Sequence, residues 1–214
     1  MGTGAGGNFN WIAPVYDALA FIVFGHKLQQ AQAVFLNRIP TGASVLIVGG
    51  GTGWLLEQVL RRCQSKRIVY LETSTQMVAR ASRRMVQKAL VGSVEFRVGD
   101  ESSLKPDERF DVILTPFVLD LFSAQTLQTT IIPQLRTVLK SGGLWLATDF
   151  VKPPSNWQKA LLWVMIRFFR LTAGIQAQHL ADWQKLLSEA GLRCEKRQTE
   201  VGGMVSAEVW GQVD

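Results

Sequence analysis

Two kinds of segment alternate along the hydrophobic pattern of this 214-residue chain. Short, nearly continuous apolar runs are typical of buried parallel strands, and longer segments with apolar residues every three or four positions are typical of helices. The apolar runs predict strands at 44–48, 67–71, 94–98, 110–114 and 144–148, with two more near 192–197 and 204–210. The helical spacing predicts helices at 54–62, 74–90, 124–139 and 180–190, the last of them followed by Gly191 as its C′ residue.

This order of elements predicts a doubly wound α/β fold, that is, a Rossmann-like seven-stranded sheet with helices on both faces. The sheet should be mostly parallel with one antiparallel strand, because only Gln198 to Gly203 separate the last two strands. No linker or internal repeat divides the chain, so residues 1–214 are interpreted as a single domain. We expect a mobile glycine-rich start at 1–10, two helices within 12–40 and a lid-like helical insertion at 152–178.

Composition narrows the class of protein. Hydrophobic residues make up 47% of the chain and charged residues 19%, which is typical of globular proteins, and the net charge of +6 permits an anionic partner without requiring one. Cys63 and Cys194 form no cluster with metal-ligand spacing, so we expect no metal and a reducing, cytoplasmic location. Met1 to Trp11 lack the basic residues of a signal peptide, and Asp17 interrupts the best candidate for a membrane span.

A glycine cluster follows the first predicted strand, in the sequence VLIVGGGTGWLLEQVL. Ligands of open α/β sheets bind at the carboxyl ends of the strands, and glycine allows the backbone to approach them closely. The dinucleotide fingerprint GxGxxG fails because Trp54 occupies the place of its third glycine, and no Gly-Lys-Ser/Thr follows as in a Walker A loop. The pattern that fits is GxGxG, formed by Gly49, Gly51 and Gly53.

An acidic residue ends the second predicted strand. Glu72 stands 21 residues after Gly51. A carboxylate at this place can accept hydrogen bonds from the two ribose hydroxyls of an adenosine and would repel a 2′-phosphate. The strand, glycine loop, helix, strand and terminal acid together predict an adenosine-containing ligand.

These segments resemble the motifs of class I S-adenosylmethionine-dependent methyltransferases. VLIVGGGTGWLL looks like motif I, and YLETSTQMVARASRR looks like the strand and acid that follow it. VGDESSL, FDVILTPFVLDLF and LRTVLKSGGLWLATDF are similar to the later motifs in the expected order, so that the resemblance covers roughly residues 12–212. IAPVYDALA is similar to the start of the branch that includes ubiquinone and menaquinone C-methyltransferases.

The resemblance implies S-adenosylmethionine as cofactor, S-adenosylhomocysteine as its product, and a role for each matching residue. The glycines at 49, 51 and 53 would pass the methionine part of the cofactor. The implied ribose and adenine contacts are Glu72, Thr73, Met77 and Asp100, the last assisted by Glu101 or Ser102. Thr115 would face the methionine end.

Two positions depart from the family pattern. Motif I usually has another residue at the position of Gly50, often Cys or Ser. The exit of the fourth strand lacks the Asn-Pro-Pro-Tyr type sequence of the enzymes that methylate amino groups of nucleic acids. We therefore expect no nucleic-acid partner.

A base is needed only if the acceptor loses a proton during methyl transfer. Asp120, in the apolar run VLDLF, is the first candidate, since burial in a dry pocket would raise its pKa. The alternative is that Asp120 caps the helix that begins near Ser123. Asp149, His26 and His179 are further candidates, and Tyr16 is expected to close the site from the N-terminal helix.

Residues 156–171, NWQKALLWVMIRFFRL, form a predicted amphipathic helix with a broad apolar face and a basic edge at Lys159, Arg167 and Arg170. It could pack on the core, cover an apolar acceptor or lie on an anionic membrane surface. The resulting hypothesis is a methyltransferase for a small, largely apolar, quinone- or phenol-like acceptor, shaped by Tyr16, Phe117, Asp120 and this helix. The alternatives are a protein that binds the adenosyl cofactor without turnover and a dinucleotide-dependent oxidoreductase.

Overall fold

The computed structural model describes residues 26–90, 92–153, 155–158 and 180–212. Its strands are β1 (Ser44–Val48), β2 (Arg67–Glu72), β3 (Val94–Val98), β4 (Phe110–Pro116), β5 (Leu139–Phe150), β6 (Leu192–Glu200) and β7 (Val205–Gln212). Its helices are α1 (Lys27–Ala33), α2 (Trp54–Arg62), α3 (Thr75–Gln87), α4 (Ala124–Thr126), α5 (Ile132–Val138) and α6 (Trp183–Glu189), and a π-helical turn, Leu127–Ile131, joins α4 to α5.

The seven strands form one sheet in the order β3-β2-β1-β4-β5-β7-β6. Strands β1 to β5 pair in parallel, whereas β7 is antiparallel to both β5 and β6. The predicted mostly parallel sheet with one antiparallel strand is therefore confirmed. The order reverses at β1 and β4, which is the place where ligands bind in open α/β sheets.

Alternate residues of each central strand supply two separate hydrophobic clusters. Val45 and Ile47 of β1 belong to the cluster that packs beneath α2 and α3, and Leu46 belongs to the cluster beneath α5 and α6. All three side chains are fully buried, which explains why β1 has a continuous apolar sequence rather than an alternating one. The helices thus cover both faces, as the sequence predicts.

Two predicted boundaries near the end of the sheet were wrong. β5 begins at Leu139 rather than Leu144, because Leu139 already pairs with Phe110 before a register shift in β4. β6 extends to Glu200, and only the four residues from Val201 to Met204 separate it from β7. The end of β6 is a solvent-exposed edge strand made of polar residues, so it carries no apolar run that would mark it in the sequence.

Several expectations lie outside the described residues. They concern Tyr16, His179, the glycine-rich start and most of the insertion at 152–178. In the part of the chain that the structure describes, no helix is long and apolar enough to cross a membrane.

Candidate functional site

The carboxyl ends of neighbouring strands are tied together by backbone hydrogen bonds. Gly49 N donates to Leu71 O at 2.8 Å, and Gly99 N donates to Glu72 O at 3.0 Å. Phe117 N donates in the same way to Thr148 O at 2.7 Å. These bonds bring the loops after β1, β2, β3, β4 and β5 to one edge of the sheet.

The glycine loop after β1 turns with its backbone open to a ligand. Gly49 and Gly51 have φ angles of +65° and +61°, a region that is costly for residues with a side chain. A Cβ atom at Gly51 would meet no atom within 4 Å, whereas one at Gly53 would lie 2.8 Å from Ala81 Cβ in α3. Gly53 therefore allows close helix packing, and Gly51 leaves free space beside the backbone.

Glu72 is the anchor of this loop. Its Oε2 atom accepts from Gly51 N at 3.1 Å, and its Oε1 atom accepts from Ser74 N at 3.0 Å. Oε1 also accepts from Thr73 Oγ1 at 3.4 Å, so although the side chain is only 8% exposed, Oε2 keeps a further lone pair available. The structure thus brings together Gly51 and Glu72, the two residues on which the sequence argument depends.

Tyr70 explains the unusual glycine at position 50. A Cβ atom at Gly50 would lie 2.3 Å from Cε2 of the buried Tyr70 ring. The Tyr70 hydroxyl donates to Gly51 O at 2.6 Å. Tyr70 occupies the space that a side chain at position 50 would need and fixes the carbonyl side of Gly51, while Glu72 fixes its amide. No pattern in the sequence predicts this contact.

The other predicted adenosine contacts lie around the ends of β2 and β3. Thr73 is exposed and Met77 is buried in the first turn of α3, where Met77 N donates to Ser74 Oγ at 3.2 Å. Asp100 is exposed, and its Oδ1 atom accepts from Ser102 N at 3.0 Å. Glu101 is half-buried, and this burial raises its pKa.

Thr115 does not lie just past the fourth strand, where the predicted strand bounds of 110–114 place it. It lies within β4 rather than beyond it, and it is fully buried. Trp145 Nε1 donates to its Oγ1 atom at 2.9 Å. The hydroxyl therefore satisfies a buried indole in the core, which a sequence pattern does not reveal.

The loop after β4 begins with a strained residue. Phe117 has a φ angle of +53°, which is uncommon for an aromatic residue and costs roughly 1–3 kcal/mol. Its ring packs against Phe150 with the ring centroids 5.4 Å apart. The next residue, Val118, lies against Gly49, where an added Cβ would come within 2.4 Å of Val118 Cγ2. The loop after β4 is thus in direct contact with the glycine loop.

Asp149, at the end of β5, gathers the backbone of this loop. Its Oδ2 atom accepts from the N–H groups of Val118, Leu119 and Asp120 at 3.0, 2.8 and 3.3 Å. Its Oδ1 atom accepts from Phe150 N at 2.7 Å. Asp149 is fully buried, so it stands behind the loop and is not exposed to a ligand as the sequence hypothesis of a base requires.

Asp120 and Asp149 form a buried carboxyl pair. The two side chains are in hydrogen-bond contact, and two carboxylates at that distance share a proton. Burial is the largest cause of the raised pKa of Asp120, which lies at about 6. Burial and the neighbouring Asp120 also hold the pKa of Asp149 above its usual range. Asp120 Oδ1 is buried and has no hydrogen-bond partner among the described residues.

The other candidates for a base are less suited. Ser123, not Asp120, caps α4, because its Oγ atom accepts from Thr126 N at 3.1 Å. His26 is exposed at the start of α1, and its Nδ1 atom is 3.1 Å from Gln29 Oε1. Among the described candidates, Asp120 alone combines partial burial with a place in the loop that contacts Gly49.

The site fits an adenosyl group with a charged amino-acid end. The free space beside Gly51 and the open lone pair on Oε2 of Glu72 suit a ribose, and the start of α2 presents backbone N–H groups. Among the described residues, no three His, Cys, Asp or Glu side chains are placed to hold a metal ion.

Comparison with known proteins gives three kinds of match. Residues 45–143 match the family model described as a methyltransferase domain. The chain is 30% identical over 152 residues to the ubiquinone/menaquinone biosynthesis C-methyltransferase UbiE of Pseudomonas aeruginosa (strain LESB58), an alignment that covers 69% of this chain and 58% of that protein. The chain thus spans less than two thirds of the length of this relative.

Solved structures show the same fold at lower identity. The 1,6-didemethyltoxoflavin-N1-methyltransferase of Burkholderia thailandensis matches with a TM-score of 0.71 at 15% identity, over 98% of this chain and 88% of that one. The N-methyltransferase NodS of Bradyrhizobium japonicum WM9 matches with a TM-score of 0.65 at 15% identity, over 87% and 88%.

The sheet order and the loops at its edge are those of a Rossmann-like α/β protein with its ligand site at the strand ends. With the matched domain and the similarity to UbiE, the chain belongs to the class I S-adenosylmethionine-dependent methyltransferases.

Proposed function

We propose that this protein is a methyltransferase that binds S-adenosylmethionine and methylates a small, largely apolar acceptor of the quinol or phenol type. Bound S-adenosylmethionine supplies a methyl group on a positively charged sulfonium, and the protein contributes position, exclusion of water and complementary charge.

The contact between Gly51 and Glu72 is the observation that carries the proposal. The carboxylate holds the loop amide at 3.1 Å and remains able to accept from ribose hydroxyls. Gly49 and Gly53 shape the same loop, and Thr73, Met77, Asp100 and Glu101 are the proposed neighbours of the ribose and adenine. Thr115 is left out because its hydroxyl is buried against Trp145.

The loop after β4 supports the acceptor side of the proposal. The half-buried Phe117 ring packs on the buried Phe150 ring, and the next residue, Val118, contacts Gly49, so Phe117 is placed to contact a flat apolar acceptor. Asp120 is proposed to take the acceptor proton, since a carboxylate whose pKa is about 6 is a useful base near neutral pH. Tyr16 and residues 156–171 belong to the proposal as further acceptor contacts, and the latter also as a place of contact with an anionic membrane surface.

The name of the relative also favours this acceptor. UbiE of Pseudomonas aeruginosa is described as a C-methyltransferase of ubiquinone and menaquinone biosynthesis. The alignment covers only 58% of that protein, so a related acceptor for the present chain is a proposal. The proposed atom methylated is carbon or oxygen.

Calorimetric titration of the full chain with S-adenosylhomocysteine, NADH and ATP tests the cofactor. We expect micromolar binding of S-adenosylhomocysteine alone. Binding of NADH instead would contradict the proposal and favour an oxidoreductase, an alternative that Trp54 in the third fingerprint position already disfavours.

A screen of hydroquinones and phenols then tests the acceptor, with release of S-adenosylhomocysteine as the measurement. We expect turnover with 1,4-dihydroxynaphthalene-type probes and loss of this turnover in Asp120→Asn. Cofactor binding without turnover on any acceptor would favour the alternative of a non-catalytic binding protein.

A further inference from the structure

We propose that the Asp120–Asp149 pair senses the charge of the cofactor, losing its shared proton when the cationic S-adenosylmethionine binds and keeping it when the neutral-sulfur S-adenosylhomocysteine binds. This inference rests on the proposed function and adds a regulated charge to the same site.

The pair is linked to the cofactor loop by one residue. Asp149 Oδ2 accepts from Val118 N at 3.0 Å, and the Val118 side chain occupies the space beside Gly49. A positive charge at the methionine end would therefore lie close to the pair, separated from it by a buried apolar side chain. Charges interact strongly across such a medium, because little water is present to screen them.

The geometry favours one shared proton when no cation is near. Asp120 is joined to Asp149 by a hydrogen bond, and Asp120 Oδ1 has no donor of its own among the described residues. Four backbone N–H groups stabilise negative charge on Asp149, whereas the described backbone offers Asp120 only its own N–H. A second negative charge on the pair is thus poorly compensated until a cation approaches.

Among the described residues, the other charged groups around the pair are few or already neutralised. Ser206 of β7 pairs with Asp149, and Glu208, two residues further on the same face, is in an ion pair with Arg197 at 2.6 Å. Helices α4 and α5 and their π-helical turn carry Arg136 as their one charged residue, and it lies against Gly191. Near the site, Glu72 is held by backbone N–H groups.

The carboxyl pair can also take up the proton that the acceptor loses in methyl transfer. The bond between sulfur and methyl breaks with its electron pair left on sulfur, and a bond forms between the methyl and the acceptor atom. The acceptor loses its proton, and the doubly ionised pair takes it up as the positive charge on sulfur disappears. Asp120 and Asp149 then return to the state with one shared proton.

Calorimetry can measure the proposed proton release without knowledge of the acceptor. S-adenosylmethionine and S-adenosylhomocysteine are titrated near pH 6, close to the pKa of Asp120 of about 6, in two buffers with different heats of ionisation. Both ligands carry the same amino and carboxylate groups, so the difference in proton release reports on the sulfonium. We expect release with S-adenosylmethionine to exceed release with S-adenosylhomocysteine in the wild-type protein.

Asp120→Asn and Asp149→Asn should abolish this difference and weaken S-adenosylmethionine relative to S-adenosylhomocysteine by about threefold or more, as expected for a lost nearby charge. Asp111→Asn is the matched control, since Asp111 lies at the opposite end of β4 and also accepts a backbone N–H, from Ser44 at 2.8 Å. It should retain the difference.

Equal proton release with both ligands, or a difference that survives in Asp120→Asn, would overturn the inference while the proposed function stands. Failure of the wild-type protein to bind either ligand would instead contradict the proposed function. If Asp149→Asn does not fold, Asp120→Asn decides, because the only backbone hydrogen bond of the Asp120 side chain among the described residues is to its own N–H.

Discussion

Two buried carboxylates organise the same edge of the sheet in opposite ways. Glu72 ends β2 and Asp149 lies near the end of β5, and each accepts hydrogen bonds from the backbone of a neighbouring loop. Glu72 accepts a single bond from the glycine loop, and its Oε2 atom keeps a lone pair for a ligand. Asp149 accepts from four N–H groups and is fully buried.

The difference shows how one type of side chain can serve either a ligand or the fold. A carboxylate at the strand end is open for binding when only one N–H group of the neighbouring glycine loop bonds to it, as Gly51 N does to Glu72. It becomes structural when its loop folds over it, as the turn at Phe117 does above Asp149. The loops therefore determine which role each acid takes.

The largest expected effect is the loss of stability when the structural carboxylate, Asp149, is removed. Asp149→Ala leaves the buried N–H groups of Val118, Leu119 and Phe150 without an acceptor, so the free energy of unfolding should fall by about 3 kcal/mol. Urea denaturation near pH 7 measures this. Asp111→Ala, which removes a half-exposed carboxylate, should cost about 1 kcal/mol or less. Equal losses in the two variants would contradict a special role for Asp149.

The next effect concerns ligand binding. Glu72→Ala should weaken binding of S-adenosylhomocysteine by about 1–3 kcal/mol, because the ribose hydroxyls lose their acceptor and the amide of Gly51 loses its anchor. Calorimetry gives the affinity. Glu95→Ala on the neighbouring strand is the control, since Glu95 is exposed and pairs with Arg67 and Arg97. An unchanged affinity in Glu72→Ala would argue against the proposed site.

The next effect is the pH dependence of stability that Asp120, the partner of Asp149, introduces. Its pKa is raised by burial to about 6, so the folded state binds a proton that the unfolded state releases. This contribution to stability is complete below the unfolded pKa near 4 and is lost as the pH rises through about 6. Asp120→Asn removes the loss, so the variant should gain about 1–2 kcal/mol relative to wild type between pH 4 and pH 7.

Acid-sensitive groups elsewhere do not disturb this measurement. Arg97 holds the pKa of Glu108 at about 2, and bonds from Arg84 and Arg61 lower the pKa of Glu57. Both carboxylates stabilise the fold above their unfolded pKa values, and this stability is lost as the pH falls. They are present in both proteins, so they cancel in the difference. A constant difference across the pH range would show that Asp120 has an ordinary pKa.

The sequence predicted the fold well because burial on both faces leaves a visible pattern. The three central residues of the run SVLIV belong to the two hydrophobic clusters, and the outer two are the strand ends. β1 therefore has the predicted bounds. The proximity of Gly51 to Glu72 was also predictable, since both follow adjacent parallel strands. The polar edge of β6 and the early start of β5 left no such pattern.

The rest of the site depends on contacts between distant positions. Nothing near Thr115 in the sequence indicates that its hydroxyl serves Trp145, 30 positions away. The anchoring of the loop by Asp149 likewise joins residues about 30 positions apart. Gly50 was visible as a departure from the family pattern, but its cause, the ring of Tyr70, required the packed structure.

Tyr70 provides the smallest expected effect and tests how the glycine loop is held open. Tyr70→Phe removes the hydroxyl that donates to Gly51 O and keeps the ring beside Gly50, so binding of S-adenosylhomocysteine should weaken by about 1 kcal/mol. Gly50→Ala should lower the free energy of unfolding strongly with Tyr70 present, because its Cβ would overlap the ring. It should lower it less in a Tyr70→Leu background. Additive losses in the double variant would mean that the Tyr70 ring does not require glycine at position 50, and the bond from Gly51 N to Glu72 would then be the main constraint on the loop.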